Sequence, residues 1–435
     1  MEENSNNLKN RIISEDKEST PKKKLNILFI IIPVISIIVI GAIIFLILFL
    51  KKEEKEEEKI IYTCEEGEED KCLKCENNIC ISCNPRYNLE NGICIANYSL
   101  KAIYEPVYDN AKVKLIDISF KNNIIDIEID EKKVSPCTEY TFKKPGFHTV
   151  YILMNITNLT KLTSMFEGTT ELTSVYFTNQ FDTKNIISIS KMFYNCEKLI
   201  SVDISNFNME KINSTDYLFY SCSELSKINF GKTKMPLLEK ANCMFFQCAS
   251  LTSFDFSYLS SKYLTTLSSA FFSCSSLKSI NLSYLNPENL IDMESLFEKC
   301  TSLTSVDFSN LKTTKLELMG KMLFGCSSLK FANFSNFNTE NVKTMDYLFN
   351  SCTSLASIDL SSFNTQNVTT MNFMFFDCKN LTYVDISNFS NSSLEKNSLP
   401  FHDIPKSGTI KVNKNFYNNI KTYIPESWNI KYVDN

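Results

Sequence analysis

Histidine is almost missing from this chain: His148 and His402 are the two among 435 residues, and both fall outside the repeats that fill most of the sequence. So small a supply excludes a multi-histidine metal site and removes the commonest general acid–base group. Tryptophan is reduced to Trp428 and glycine to nine residues. Turns must therefore rely on Asn, Asp and Ser, whose side chains tolerate left-handed backbone or bond their own main chain. An excess of positive charge is absent too: the formal net charge is -5, which leaves no basic footprint for nucleic acid. There is no nucleophile elbow and no histidine-bearing motif, so neither an enzyme nor a cofactor is expected.

One long apolar run is present, Ile27 to Leu50, uncharged throughout and bracketed by Lys22-Lys23-Lys24 and Lys51-Lys52. As a helix it would extend roughly 36 Å, enough to cross the hydrocarbon layer. It starts too far from Met1, and lacks the small-residue cleavage site, for a secretory signal. Lys9, Arg11, Lys17 and the three lysines at 22–24 bias the N-terminus towards the cytoplasm. Every cysteine lies beyond the apolar run, as do ten N-x-[ST] sequons. These candidate glycosylation sites are Asn97, Asn155, Asn158, Asn213, Asn281, Asn333, Asn367, Asn380, Asn388 and Asn391. The expectation is a single-pass plasma-membrane protein with its C-terminus outside, where thiols oxidise. The chain then divides into a disordered cytoplasmic tail (1–24), a transmembrane helix (25–50), an acidic stalk (51–63) and a cysteine-rich module (64–99). A small β-domain (100–160), a repeat region (161–390) and a C-terminal cap (391–435) follow.

The cysteine-rich module holds Cys64, Cys72, Cys75, Cys80, Cys83 and Cys94, with too few apolar residues to form a core. Cross-links must replace that core. Three disulfides are expected; zinc on the two CxxC pairs is the alternative, against which the short loop between the pairs argues. Connectivity stays open. The run CLKCENNICISCNPRYNLENGIC resembles the cysteine-rich repeats of protist surface proteins and furin-like modules.

In the β-domain, Ile125, Ile127 and Ile129 alternate with Asp126, Glu128 and Asp130, and a second strand is expected from His148 to Leu153. After it comes the dominant pattern. Cys196, Cys222, Cys248, Cys274, Cys300, Cys326, Cys352 and Cys378 stand 26 residues apart, each with a Leu three positions later and a Phe (once Leu323) three before. A variant first copy, with Phe166, Thr169 and Leu172, makes nine. Such a period signals a solenoid whose coils stack to share one core. In one coil, Leu303, Val306, Phe308 and Leu311 should face inward around a short strand, while Asp307 points out. Leu316, Met319, Met322 and Leu323 have the three-and-four spacing of a short helix. The fold class is thus an α+β solenoid of strand, turn and short helix. Residues 391–435 lose the period and read as strand, helix and strand, a cap with Trp428 in its core.

The motif C-x2-L-x2-[VI]-[DN]-[FIL]-S, closed by M-x2-[LM]-F-x2-C, closely resembles BspA-type leucine-rich-repeat surface proteins of mucosal bacteria and of anaerobic or parasitic protists. That resemblance implies surface display and a role in adhesion.

Two ladders invite chemical readings. The repeat cysteines read as buried thiols that pack as small hydrophobes, with inter-coil disulfides or metal as the rivals. Cys137 and Cys243 receive no role. The outward strand position holds Asp203, Asn229, Asp255, Asn281, Asp307, Asn333, Asp359 and Asp385. It reads as a solvated face relieved of self-repulsion, or as an exposed calcium- or glycan-binding ladder on Asp203, Asp255, Asp307, Asp359 and Asp385. The functional expectation is adhesion or recognition of an extracellular protein or glycan on another cell or matrix. The alternative is a passive coat component without a specific ligand.

Overall fold

The computed structural model describes residues 72–76, 79–83, 87–90, 93–96 and 98–433, apart from 286, 391 and 396–398. The described residues contain no helix long and apolar enough to cross a membrane; the expected tail, span and stalk lie outside them. Two compact units are formed, Met1–Ala96 and Asn97–Asn435. The first contains two antiparallel hairpins, β1 (Cys72–Glu76) with β2 (Ile79–Cys83), and β3 (Tyr87–Glu90) with β4 (Ile93–Ala96). Backbone register sets Cys72 opposite Cys83 and Cys75 opposite Cys80. Cys64 and the side chains of the other five cysteines, which carry the expected disulfides, lie outside the described part.

The second unit opens with β5 (Leu100–Tyr104), β6 (Ala111–Lys114), β7 (Ile124–Ile129), β8 (Lys132–Val134), β9 (Glu139–Phe142) and β10 (His148–Met154). β10 pairs antiparallel with both β5 and β7, and the free edge of β5 pairs antiparallel with β11 (Leu172–Phe177), the strand of the first repeat. One sheet of order β13-β12-β11-β5-β10-β7-β8 results, where β12 is Ser201–Asp203 and β13 is Lys227–Asn229. The β-domain is therefore built into the repeats: it covers the edge that the first coil would otherwise leave with unpaired backbone groups. The expected alternation on β7 holds for Ile127 and Ile129, both buried, but Ile125 is 55% exposed. The register slips opposite Leu153 and Met154, and the extra residue of that bulge turns Ile125 outward.

Further coils supply β14 (Ser305–Asp307), β15 (Phe331–Asn333), β16 (Ser357–Asp359) and β17 (Tyr383–Ile386), each paired in parallel with a neighbour at 26-residue register. Leu303, Val306, Phe308, Leu311, Leu316, Met319, Met322 and Leu323 are all buried, as their spacing predicts. The short helix, however, is not formed. The segment is a run of turns, and its N–H groups reach across to the next coil: Lys191 to the Asp216 carbonyl (2.9 Å), Phe193 to Leu218 (2.9 Å) and Asn195 to Tyr220 (2.7 Å). A second parallel ladder of single bridges runs beside it, from Lys161–Ser188 to Thr344–Thr370. Two left-handed residues per coil, such as Lys191 and Asn195, Tyr217 and Ser221, or Tyr347 and Ser351, rule out a right-handed helix there. The architecture is a β-solenoid of about nine turns with little helix, and leucine-rich-repeat-like.

The cap is strand β18 (Thr409–Asn413), helix α1 (Lys414–Ile420) and strand β19 (Asn429–Val433), in the expected order. The period nevertheless continues past 390. Val384 pairs with Ile410 and Asp385 with Lys411, each 26 residues on, and β19 extends the parallel sheet beyond β18. Phe401 stacks on Phe375 at 5.1 Å, and the N–H of Phe373 donates to the Leu399 carbonyl, so 399–403 is a partial further coil containing His402. Trp428 is buried and its Nε1 donates to the Pro405 carbonyl at 2.7 Å. Gly408 lies flat against the indole, leaving no room for a Cβ.

Gly168 holds one left-handed position, at φ +70°, with nothing within 4 Å of where a Cβ would stand. Gly168→Ala therefore isolates the backbone term. It is expected to lower unfolding stability by about 1 kcal/mol in urea titrations without altering the folded spectrum.

Candidate functional site

On the strand face, each residue of the Asp/Asn ladder accepts a hydrogen bond from the N–H two residues on. The distances are 2.9 Å for Asp203 to Ser205, 3.0 Å for Asn229 to Gly231, 2.8 Å for Asp255 to Ser257 and 2.9 Å for Asp307 to Ser309. Asn281, Asn333, Asp359 and Asp385 repeat the contact. One acceptor oxygen suffices for this turn, so Asp and Asn interchange freely. That geometric reason stands beside the relief of charge repulsion. Asp203 and Asn229 also join directly, the amide donating to the second carboxylate oxygen at 3.1 Å. Asp385 departs from the expectation of an exposed ladder. It is 4% exposed, and Lys411 of the cap reaches its second oxygen at 2.9 Å. Burial works to raise its carboxyl, but hydrogen bonds from Ser387 and Lys411 outweigh that and hold it below the ordinary carboxylate value.

The eight repeat cysteines are free and fully buried. Each thiol donates to a carbonyl of the preceding coil: Cys222 to Phe193 at 3.0 Å, Cys274 to Phe245 at 3.1 Å and Cys352 to Leu323 at 3.2 Å, with the others alike. Burial pushes these thiols up, to about 12 at Cys326 and Cys378, so they stay protonated and unreactive. Thr169 takes the cysteine's place in the first coil. No earlier coil offers it a carbonyl, and its buried Oγ1 has no hydrogen-bond partner. The other two free cysteines are inert as well. Burial raises Cys137, and burial followed by Asp216 pushes Cys243 up to about 11.

Among the sequons, Asn155, Asn158, Asn281, Asn367, Asn380 and Asn388 are exposed and Asn213 and Asn333 are half-buried. Asn97 and Asn391 lie outside the described residues. Among the described residues no group of three or more His, Cys, Asp or Glu is placed to hold a metal ion.

Sequence reasoning missed the cleft at the start of the strand face. It measures about 890 Å³ and is lined by Tyr98, Lys101, Tyr176, Asp203, Lys227, Asn229 and Asp255, with Ser174, Ser201, Ser226 and Ser253 between them. Strand register explains the assembly. Tyr151, Lys101, Tyr176, Asp203 and Asn229 are successive partners across β10, β5, β11, β12 and β13, and so form one row on one face. The Lys101 ammonium lies 5.8 Å from the Tyr151 ring centroid, a cation–π contact. Beyond β13 the sheet stops. The next coil replaces its strand with a 3-10 turn, Phe256–Leu259, and Tyr258 stacks on Phe230 at 5.0 Å. The missing strand makes the hollow. Its sequence signals are Phe254 where other coils have Val or Ile, and Gly231 where they have Ser.

Four overlapping stretches, 140–255, 239–332, 291–411 and 319–435, match the family described as "Mycoplasma protein of unknown function, DUF285". No curated protein matches. Among solved structures, a T. pallidum leucine-rich-repeat protein is 21% identical, with 42% of this chain and 77% of that one covered and a TM-score of 0.30. A TLR13–ssRNA13 complex is 12% identical, with 58% of this chain and 42% of that one covered and a TM-score of 0.21. Likenesses at that level carry no argument about function.

Two outcomes follow from these contacts. Thr169→Val removes a stranded hydroxyl at constant shape and is expected to raise stability by about 1 kcal/mol, read as a higher melting temperature. Lys411→Met strands the Asp385 carboxylate and is expected to cost roughly 1–3 kcal/mol at neutral pH. Because the folded carboxyl is depressed, the ion pair's contribution is present above the ordinary carboxylate range and fades as pH falls through the folded value. The deficit of the variant should therefore shrink on acidification; a deficit independent of pH would contradict the pairing.

Proposed function

The chain belongs to the DUF285 family, and on that premise we propose that it is a cell-surface adhesion or recognition protein, anchored by Ile27–Leu50, with its repeats outside the cell. The observation that carries this reading is the division of labour across each coil. The reactive side chains, the thiols, are buried and protonated, while the strand face presents Ser, Thr, Lys, Asp and Asn on backbone fixed by inter-coil pairing. Such a face can select a partner by hydrogen bonds at little ordering cost. The resemblance of the repeat to BspA-type surface proteins supports the same reading, as do the position of the apolar run and the sequons beyond it.

One observation favours the coat reading instead. Asn281 and Asn333 are sequons inside the ladder, so attached glycans would cover the middle of the strand face. Cells displaying the full chain separate the two. Adhesion predicts saturable attachment to host cells or matrix, competed by the detergent-solubilised full chain. Attachment equal to that of cells lacking the protein overturns adhesion and leaves the coat.

A further inference from the structure

We propose that the cleft between β5 and the 3-10 turn at Phe256–Leu259 is a binding site for a neutral oligosaccharide. The inference rests on the surface-recognition reading and gives it a place and a ligand class. The volume, about 890 Å³, falls within the roughly 300–1,000 Å³ of small-molecule sites and suits a few linked sugar rings. It is far too small and too recessed for the surface that a stable protein partner needs.

The lining fits a sugar in three ways. Tyr98 and Tyr176 bring flat apolar faces with hydroxyl tips, and Tyr176 is 41% exposed in the row between Lys101 and Asp203. Hydrogen-bonding groups of both senses converge: ammonium donors from Lys101 and Lys227, carboxylate acceptors from Asp203 and Asp255, and serine hydroxyls between them. The two cations balance the two anions, so the cleft favours no net charge on its occupant. Asp203 is also preorganised. Ser205 donates to one of its oxygens from N–H and from Oγ, at 2.9 and 2.6 Å, and Asn229 donates to the other. A sugar hydroxyl meets an acceptor already fixed in direction. No sequon asparagine lines the cleft, whereas Asn281 and Asn333 stand further along the same ladder. An attached glycan would obstruct the repeats there and leave this end open.

The test uses the full chain in detergent on an array of neutral and acidic oligosaccharides, alongside cells displaying the same chain. Binding to a subset of neutral sugars is expected, weakened at least tenfold by Tyr176→Ala and by Asp203→Asn. The second variant keeps the turn, since Asn serves it at three other coils, but puts a donor in place of an acceptor. Phe331→Ala, at an exposed residue of β15 outside the cleft, should bind as the parent does. Binding confined to acidic sugars, or unaltered in both cleft variants, overturns the proposal. Cell attachment that persists without any sugar binding overturns it and leaves the adhesion reading standing. Loss of both overturns the two together.

Discussion

The constraint on which everything else depends is that no coil can satisfy its own backbone. In a helix each N–H finds a carbonyl four residues back. Here the donors of the Met-rich turns find theirs 25 residues ahead, as Phe219 does with Met244 and Gln247 with Phe272. Side chains reinforce the same links. Each repeat thiol donates backwards to the preceding coil, while the phenylalanines form a column with ring centroids 5.4 Å apart for Phe166–Phe193 and Phe193–Phe219. Every buried ring adds roughly 1.5–3 kcal/mol of transfer free energy, available only when the neighbouring coil is in place. Stability is thus a property of adjacent pairs of coils, and the two ends become the weak points.

The ends are closed in different ways. At the start, the antiparallel strand β5 pairs with β11 and saturates the strand edge, but it has no carbonyl for the position where later coils place a thiol. Thr169 records that mismatch. At the finish, β18 and β19 keep the parallel direction and the repeat's own register, and the Lys411 ammonium takes up the last Asp of the ladder. The C-terminal cap is a continuation of the solenoid in different residues; the N-terminal cap is a foreign sheet grafted onto it.

Much of this was legible because period and burial are linked. Every in-phase Cys, Leu and Phe of the repeat is buried, and the cap's strand–helix–strand order was readable from its alternation. The short helix was misread because spacings of three and four describe a tight turn run as well as a helical face. What separates the two is left-handed backbone, and here it is carried by Lys191, Tyr347 and Phe373 as well as by Asn and Ser, so composition conceals it. The partial coil at 399–403 escaped notice because Ile404 stands where the cysteine would be and Ser407 where the leucine would be, although Phe401 and Asp403 keep the phase of Phe375 and Asp377. Of the cleft, Asp203 and Asp255 were recognised as outward residues. Lys101 and Tyr176 were not, because their place in the row depends on β5 pairing with β11 across some 70 residues of chain, which no local pattern encodes.

Regularity itself limits what a solenoid face can recognise. Where Asp or Asn recurs in every coil with the same turn to hold, a ligand meets nearly equivalent positions and gains little by choosing one. Discrimination needs residues that occur once and are held as firmly as the repeat. Such residues gather at one end of this molecule. Tyr176 stands in the ladder position of the first coil, Gly231 adopts a left-handed conformation against the Ser205 carbonyl, and Phe254 with its following 3-10 turn interrupts the sheet. Each departure lies against β5, which supplies Lys101, and on a core whose thiols and rings do not vary. The invariant interior makes the local irregularity affordable, and the irregularity supplies the asymmetry that a binding site requires.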